Sequence, residues 1–343
     1  MLQVSYIREH QTEVIERLSK RTKEAATLIE AVLKIDETRR GLQAKVDVIS
    51  SELNVISKQI GELFKTGQAH KANDFKLKTN DLKQTKATLS EELNTAVDSL
   101  QALLYKIPNL PNAIVPKGSS EDDNEEIFSA GVIPVLSENA IPHWELAKKY
   151  DIIDFDLGNK ITGAGFPVYK GKGARLQRAL INYFLDKNTA AGYNEIQVPH
   201  LVNEASGFGT GQLPDKEGQM YHVGEDDLYL IPTAEVPATN IFRDVLLQES
   251  ELPKTLTAYT PCFRREAGSY GAHVRGLNRL HQFDKVEILR VEHPSNSYTA
   301  LDGMVDHIKS ILEELKLPYR VLKLCSGDLG FTAALTYDFE VFS

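Results

Sequence analysis

The chain has 343 residues, a net charge of −9 and ordinary apolar and charged fractions, which indicates a soluble protein of two or three domains. Its charged N-terminus excludes a secretory signal peptide, and no apolar run reaches transmembrane length, so we expect a cytoplasmic protein without membrane contact. The two cysteines, Cys262 and Cys325, and the scattered histidines show neither a disulfide framework nor metal-ligand spacing. We therefore expect no zinc and no metal site within the chain.

The N-terminal third carries helical patterns. Residues 4–22 predict a short amphipathic helix, and apolar residues then recur in steps of three and four over residues 28–63 and 75–103. Such heptads, with a break at residues 65–67, predict an antiparallel coiled-coil hairpin over about residues 28–104. At ~1.5 Å per residue, about 36 residues give an arm of roughly 50 Å. Few apolar residues lie off the seam, which favours a projecting arm over a helical pair packed flat on a globular body.

The tip of this predicted arm is basic. Between residues 58 and 86 the chain carries seven lysines against three acidic residues, although the whole chain is acidic. A basic projection on an acidic protein favours contact with the phosphate backbone of RNA over an ordinary solvated helix end. The candidate RNA-binding residues are Lys58, Lys65, Lys71 and Lys76.

A second domain follows a proline-containing linker at residues 107–112, because proline cannot continue a helix. We expect the domain boundary near residues 106–116, which divides the chain into a helical arm at 1–108 and a second domain at 109–343. In the second domain, periodicity predicts helices at 143–150, 175–190 and 302–315, and strands at 193–198, 228–232, 319–324 and 337–343. This mixture predicts an α+β fold with an antiparallel sheet flanked by helices.

Residues 259–290 predict a strand, a basic loop and a second strand that alternates with period two over residues 283–289. Arg264, Arg265, Arg275 and Arg279 at the mouth of such a hairpin can bind phosphate, and nearby carboxylates can hold an amine or the edge of a base. The alternative is a surface hairpin with solvated charges.

A second candidate group is Thr233 and Glu235, which we expect on one side of an extended segment at the end of a strand. A carboxylate there can pair with an ammonium group, although these two residues alone could equally form a strand-end cap. Glu287 on the returning strand can reach the same space. The sequence has no Walker-A loop, so any ATP must be held by another type of fold.

Short motifs occur in order over almost the whole chain. They are Asp36 with Arg39 and Arg40, Ile107-Pro108-Asn109-Leu110-Pro111, Gly211-Gln212-Leu213-Pro214, Ile231-Pro232-Thr233-Ala234-Glu235, Cys262-Phe263-Arg264-Arg265-Glu266-Ala267-Gly268, His281-Gln282-Phe283 and Cys325-Ser326-Gly327-Asp328-Leu329-Gly330. Together they resemble the motifs of bacterial-type seryl-tRNA synthetases, a family of class II aminoacyl-tRNA synthetases. The resemblance implies a serine–tRNA ligase with a tRNA-binding arm and a class II catalytic domain.

The resemblance also implies roles for individual residues. Serine-binding residues would be Thr233, Glu235, Arg264 and Glu287. ATP-binding residues would be Arg264, Arg265, Glu266 and Phe283, with Arg264 as the catalytic residue that binds the α-phosphate. Phe283 would stack on adenine, for which the alternative is a core aromatic residue, and Mg²⁺ would accompany the phosphates.

For the partners, the resemblance implies that Arg275 meets the acceptor end of serine tRNA, and of selenocysteine tRNA as well. The helix that begins near Arg175, together with Pro199, would form the homodimer contact. The Thr233-Ala234-Glu235 loop disfavours the zinc-dependent form of the family.

One expected family element, class II motif 3, does not occur in the sequence. In the family it supplies a further ATP-binding arginine, the contact to the serine hydroxyl and a carboxylate that binds magnesium. We therefore expect the chain, ending at Ser343, to have an incomplete catalytic domain and doubtful activity. Two alternatives follow, which are a truncated, non-catalytic tRNA-binding relative and a ligase that charges a carrier protein with a small amino acid.

Overall fold

A computed structural model describes residues 2–68, 72–215, 218–266 and 275–343. It divides into two compact units, Met1–Phe128 with Val321–Asp338 and Ser129–Arg320 with Phe339–Ser343. The helices are α1 (Val4–Glu9), α2 (Gln11–Leu18), α3 (Ala25–Lys65), α4 (Ala72–Leu104), α5 (His143–Lys149), α6 (Phe155–Ile161), α7 (Lys172–Ala190), α8 (Glu204–Gly209), α9 (Glu235–Asn240) and α10 (Ser297–Glu314). The strands are β1 (Glu125–Ala130), β2 (Ile153–Asp154), β3 (Val168–Tyr169), β4 (Asn194–Glu195), β5 (Leu201–Asn203), β6 (His222–Val223), β7 (Leu228–Leu230), β8 (Lys254–Phe263), β9 (Gln282–Val291), β10 (Tyr319–Lys323) and β11 (Tyr337–Val341).

The first unit is built on the long helix pair α3 and α4, as the heptads predicted. Helix α3 has 41 residues and therefore a length of roughly 60 Å, somewhat more than expected. Its seam positions from residue 42 to residue 63 are all at least partly buried, with Val46 and Ile56 the most enclosed. The helix ends where predicted, because Gly67 has a φ of +74° and Gln68 N–H bonds back to the Leu63 carbonyl at 2.9 Å.

The base of the helix pair is a hydrophobic core. Instead of the one helix predicted over residues 4–22, the chain forms α1 and α2, which meet at His10. The side chains that fill the core come from all four helices and include Ile7, Val14, Leu18, Ile29, Val32, Leu100 and Leu104. The break at His10 lets both short helices turn their apolar sides onto α3.

A buried carboxylate lies beside this core. Asp36 of α3 has no solvent exposure and binds Arg8 at 2.9 Å, Arg39 at 2.7 Å and Arg40 at 3.0 Å. Burial by itself raises the pKa of Asp36, but the hydrogen bonds from Arg39 and Arg8 and the charges of Arg39 and Arg40 outweigh it, so the pKa lies below its ordinary value. Since Arg8 belongs to α1, this ion cluster ties α1 to α3.

The second unit is built on the long hairpin of β8 and β9, which pair antiparallel from Lys254 opposite Val291 to Phe263 opposite Gln282. Strand β4 joins β8 in parallel but has only two residues, shorter than the strand predicted over residues 193–198. The pairs β2–β3, β5–β7 and β6–β7 are antiparallel. The α+β class with a helical hairpin before a largely antiparallel sheet is therefore confirmed.

Helices cover both faces of the β8–β9 hairpin. On one face, Gln177 of α7 donates a hydrogen bond to Asp284 of β9. On the other face, Ala234 and Ala238 at α9 pack on Ala258 of β8, and these small side chains let the helix approach closely. The strand predicted over residues 283–289 is confirmed within β9, and because helices cover both faces, every one of these residues is partly buried.

In the part of the chain that the structure describes, no helix is long and apolar enough to cross a membrane.

The Asp36 cluster leads to a stability prediction. We expect Asp36→Ala to lower the free energy of unfolding of the first unit by about 1–3 kcal/mol, because it removes charge-assisted hydrogen bonds to three arginines. Since the folded-state pKa of Asp36 is lowered, this stabilisation is present above about pH 4 and is lost as the pH falls through the lowered value. Urea unfolding followed by far-ultraviolet circular dichroism measures the change.

The matched control is Asp47→Ala on the same helix, where the side chain is exposed and accepts a hydrogen bond from Gln43. We expect a change below about 0.5 kcal/mol for this variant. Equal unfolding midpoints for the two variants would show that the buried cluster does not stabilise the unit.

Candidate active site

The segment from Ile231 to Glu235 enters the site from the end of β7. Its position is set by two backbone hydrogen bonds, from Phe263 N–H to the Ile231 carbonyl at 2.9 Å and from Ile231 N–H to the His200 carbonyl at 3.0 Å. The predicted extended geometry of Thr233 and Glu235 is wrong, because Glu235 is already the first residue of α9. The backbone turns after Thr233, whose Oγ1 accepts a hydrogen bond from Glu235 N–H at 3.2 Å.

Thr233, Lys285 and Glu287 form a compact triangle. Thr233 Oγ1 donates to Glu287 Oε2 at 2.7 Å, and Lys285 Nζ lies 2.6 Å from the same carboxylate oxygen and 3.0 Å from Thr233 Oγ1. Lys285 and Glu287 are two residues apart on β9 and therefore project from the same face of the strand. The sequence predicted that Thr233 and Glu287 would meet. It did not predict the contact of Lys285, for which the period-two spacing from Glu287 was the available signal.

Glu235 is the second carboxylate of this group. Burial raises its pKa above the ordinary value, and the nearby charge of Glu287 raises it further, whereas Lys285 and Arg264 act in the opposite direction. The four charged side chains thus influence one another at short range. Two carboxylates and two cations give this group a formal charge of zero when all are ionised.

Arg264 follows directly after β8, and its guanidinium lies over the ring of Phe283 with 5.0 Å between the Cζ atom and the ring centroid. Arg264 N–H donates to the His281 carbonyl at 2.9 Å, which holds the residue beside the start of β9. Phe283 is only partly buried and lines a cavity of about 160 Å³ together with Phe166 and Tyr169. An aromatic face beside a guanidinium suits a flat base attached to a phosphate.

Arg265 and Glu266 are the two residues that follow Arg264 in the chain. Glu266 has a φ of +47° and pairs with Arg279 at 3.2 Å. The side chain of Arg265 is exposed, and its backbone N–H donates to the Gln219 carbonyl at 2.9 Å. The loop residues 267–274 that follow lie outside the described part of the chain.

Arg275 contacts helix α5, and the sequence did not predict this contact. Its guanidinium lies over the Trp144 ring at 5.4 Å, and His143 Nε2 accepts a hydrogen bond from Leu277 N–H at 2.8 Å. A cavity of about 570 Å³ adjoins these residues, and its other lining residues include Phe155, Phe166 and Asp156. Gly276 between them has a φ of +73°, and a Cβ atom there would lie 2.2 Å from His143 Nε2.

The predicted partner-binding residues lie at exposed positions. Lys58, Lys65 and Lys76 are exposed on α3 and α4, and Lys76 Nζ lies 5.3 Å from the ring centroid of Phe64. Lys71 lies outside the described residues. Arg175 in the first turn of α7 and Pro199 are also exposed.

Within the described ranges, no three His, Cys, Asp or Glu side chains come together in a way that could hold a metal ion.

Two family models match the chain. Residues 1–111 match the seryl-tRNA synthetase N-terminal domain, and residues 220–343 match the class II tRNA synthetase core domain of the G, H, P, S and T enzymes. A serine–tRNA ligase of Salinibacter ruber is 46% identical over 343 residues, an alignment that covers 100% of this chain and 80% of the relative.

Solved structures agree with these matches. Seryl-tRNA synthetase from Pyrococcus horikoshii complexed with ATP has a TM-score of 0.87 at 29% identity, covering 99% of this chain and 80% of that chain. Cytoplasmic serine–tRNA ligase from Naegleria fowleri in complex with AMP has a TM-score of 0.84 at 25% identity, covering 100% and 82%. Together with the helix pair, the β8–β9 hairpin and the charged group, these similarities show that the chain belongs to the seryl-tRNA synthetase family of class II aminoacyl-tRNA synthetases.

Proposed function

We propose that the protein activates L-serine with ATP and transfers the seryl group to the 3′ end of serine tRNA. The observation that carries the proposal is the joint placement of Thr233, Glu235 and Glu287 beside Arg264 on one face of the β8–β9 hairpin. The match of residues 1–111 to the N-terminal domain of seryl enzymes favours this function over a carrier-protein ligase.

The two carboxylates suit the ammonium group of a free amino acid. Burial raises the pKa of Glu235, and the nearby charge of Glu287 raises it further. An entering ammonium group is therefore favoured there. The hydroxyl of Thr233, already bonded to Glu287, adds a polar contact beside the small serine side chain. A site that hydrogen-bonds a substrate hydroxyl rejects the analogue without it by roughly 10⁴-fold or more. We therefore expect alanine to be rejected where motif 3 supplies the hydroxyl contact.

Activation needs no general base in this arrangement. A serine carboxylate oxygen attacks the α-phosphorus of ATP, the bond to the bridging oxygen breaks, and pyrophosphate leaves. Arg264 is placed to bind the α-phosphate and to stabilise the charge that develops on it. Phe283 would stack on the adenine, with Glu266 at its edge and Arg265 towards the phosphates. Mg²⁺ would bind mainly through the phosphates of ATP, the usual mode for this ion in nucleotide sites.

In the second step, a hydroxyl of the terminal ribose of the tRNA attacks the seryl carbonyl carbon and AMP leaves. Arg275 would meet the acceptor end of the tRNA, serine or selenocysteine tRNA, from its position over Trp144. The exposed lysines of the α3–α4 pair would bind the phosphate backbone. The homodimer contact would lie at α7 and Pro199, where the apolar Leu176 is 57% exposed in the single chain.

Serine-dependent exchange between ATP and pyrophosphate, together with charging of serine tRNA, tests the whole proposal. In a protein that also carries class II motif 3, we expect exchange with serine and none with alanine. Binding of serine tRNA without any exchange would instead identify a non-catalytic tRNA-binding relative.

Arg264→Ala should lower the rate of ATP–pyrophosphate exchange by about 10²–10³-fold, because it removes a preorganised charge at the reacting phosphate. The matched control is Arg290→Ala at the far end of β9, where the arginine pairs with Glu292 at 2.7 Å. We expect near-normal exchange for this control. An unchanged rate in Arg264→Ala with an intact fold would contradict the assigned catalytic role.

Glu235→Gln should raise the KM for serine by roughly 10- to 100-fold, equivalent to a charge-assisted contact of about 1.5–3 kcal/mol, and leave the KM for ATP unchanged. Because the pKa of Glu235 is raised, serine use by the unaltered protein should weaken as the pH falls through that pKa. Glu204→Gln, an exposed position in the first turn of α8, is the control. Equal increases for serine and ATP would point to a general disturbance of the site.

Replacing Lys58, Lys65 and Lys76 together by alanine should weaken the binding of serine tRNA and leave serine-dependent exchange unchanged. Each lost phosphate contact should lower the slope of log affinity against log salt by about 0.7–0.9. The matched control removes the same charge from the exposed residues Lys34, Lys45 and Lys106, outside the basic stretch. Identical salt slopes for the two triple variants would exclude a specific role for the tip of the arm.

A further inference from the structure

Lys285 places a positive charge against the Glu287 carboxylate and close enough to Glu235 to act on its pKa. Its Nζ atom lies 2.6 Å from Glu287 Oε2 and 3.0 Å from Thr233 Oγ1, while Thr233 donates to the same carboxylate oxygen at 2.7 Å. The side chain of Glu287 is 18% exposed and that of Lys285 is 35% exposed, so water screens this contact only in part.

A charge count explains why a cation is needed there. Glu235 and Glu287 lie in a largely buried group, and Arg264 alone would leave it with a net negative charge. Buried like charges cannot both remain ionised without compensation, so such a pair normally takes up a proton. With Lys285 the group is neutral, and free serine, which carries one ammonium and one carboxylate, enters without changing that balance.

We propose that Lys285 is a positioning residue for serine binding, whose ammonium group acts as the internal counter-ion of the Glu235–Glu287 pair and fixes the Glu287 carboxylate against Thr233. This inference rests on the proposed activation of serine and deepens it. Lys285 keeps both carboxylates ionised and correctly placed, so the ammonium group of serine binds without first displacing a proton. Lys285 itself does not take part in bond formation.

The surroundings of the pair hold few other titratable groups among the described residues. From β8, Cys262 faces the pair, and burial raises the pKa of its thiol, so it stays neutral below that value. Arg264, which follows β8, remains a cation throughout. Asp284 lies on the opposite face of β9, where it accepts a hydrogen bond from Tyr259, whose pKa is raised to about 12. A difference in proton binding between the Lys285 variants and the unaltered protein therefore reports on the carboxylate pair.

The test measures binding of seryl sulfamoyl adenosine, a non-reactive mimic of seryl-adenylate, by calorimetry between pH 5.5 and 8.5. In the unaltered protein, affinity should weaken as the pH falls through the raised pKa of Glu235. Lys285→Met removes the charge but keeps a side chain of similar length. We call the fall in affinity towards low pH the acid limb of the binding curve. In Lys285→Met we expect the acid limb to lie at least about one pH unit higher than in the unaltered protein. This corresponds to a roughly tenfold loss of affinity at the lower pH.

Repeating the calorimetry in buffers of different ionisation enthalpy gives the number of protons released when the adenylate mimic binds. Lys285→Met should release up to about one proton more than the unaltered protein in the range of its acid limb. The proton balance of the seryl amine is common to both proteins and cancels in the comparison. Lys285→Arg restores the charge and should return the acid limb to its original position.

The control is Lys254→Met at the start of β8, where the lysine pairs with Glu251 at 3.4 Å. It should match the unaltered protein at every pH. Should Lys285→Met not fold, Lys285→Gln provides the same neutral substitution with a polar end. An acid limb that does not move in the neutral variant, even with weaker affinity at all pH values, would overturn the counter-ion role.

The two proposals fail in different ways. If the unaltered protein does not bind seryl sulfamoyl adenosine, the proposed serine activation is wrong. If it binds and the neutral Lys285 variants keep the original acid limb and proton count, only the role of Lys285 is wrong.

Discussion

The antiparallel pairing of β8 with β9 is the constraint on which the active site depends. Its register sets Cys262 opposite Phe283 and Ala258 opposite Glu287, so Phe283, Lys285 and Glu287 project from one face of the sheet. A slip of one residue would turn all three towards the face covered by α7. The long pairing, ten residues on each strand, makes such a slip costly because every opposed pair would change its neighbours.

Electrostatics then gives this face its chemistry. Burial and the nearby charge of Glu287 raise the pKa of Glu235, whereas the charges of Lys285 and Arg264 lower it. Such a balance suits a zwitterionic amino acid, because its ammonium and carboxylate groups can be bound by opposite charges already in place. Preorganised charges need little rearrangement when the substrate arrives, which favours both selection and reaction.

The first unit, which contains α3 and α4, is stabilised mainly by the packing of its helices. Helices as long as α3 and α4 gain most of their stability from packing rather than from intrinsic propensity. Here the seam between the two helices and the core below it supply that packing, and the Asp36 cluster adds charge-assisted bonds between α1 and α3. The lysines at the far end of the pair, Lys58, Lys65 and Lys76, stay exposed, as do the apolar side chains of Phe64 and Leu77 there.

The sequence alone determined the features that depend on local periodicity. Heptads gave the helix pair, and a glycine ended α3 where expected, because both signals act over a few residues. Motif order indicated the family and several candidate site residues. Only the tertiary structure decided the break at His10, the turn that starts α9 at Glu235, and the contacts of Lys285 and Trp144. These features depend on which distant segments meet, and apart from the period-two spacing of Lys285 and Glu287 such contacts leave no periodic trace in the sequence.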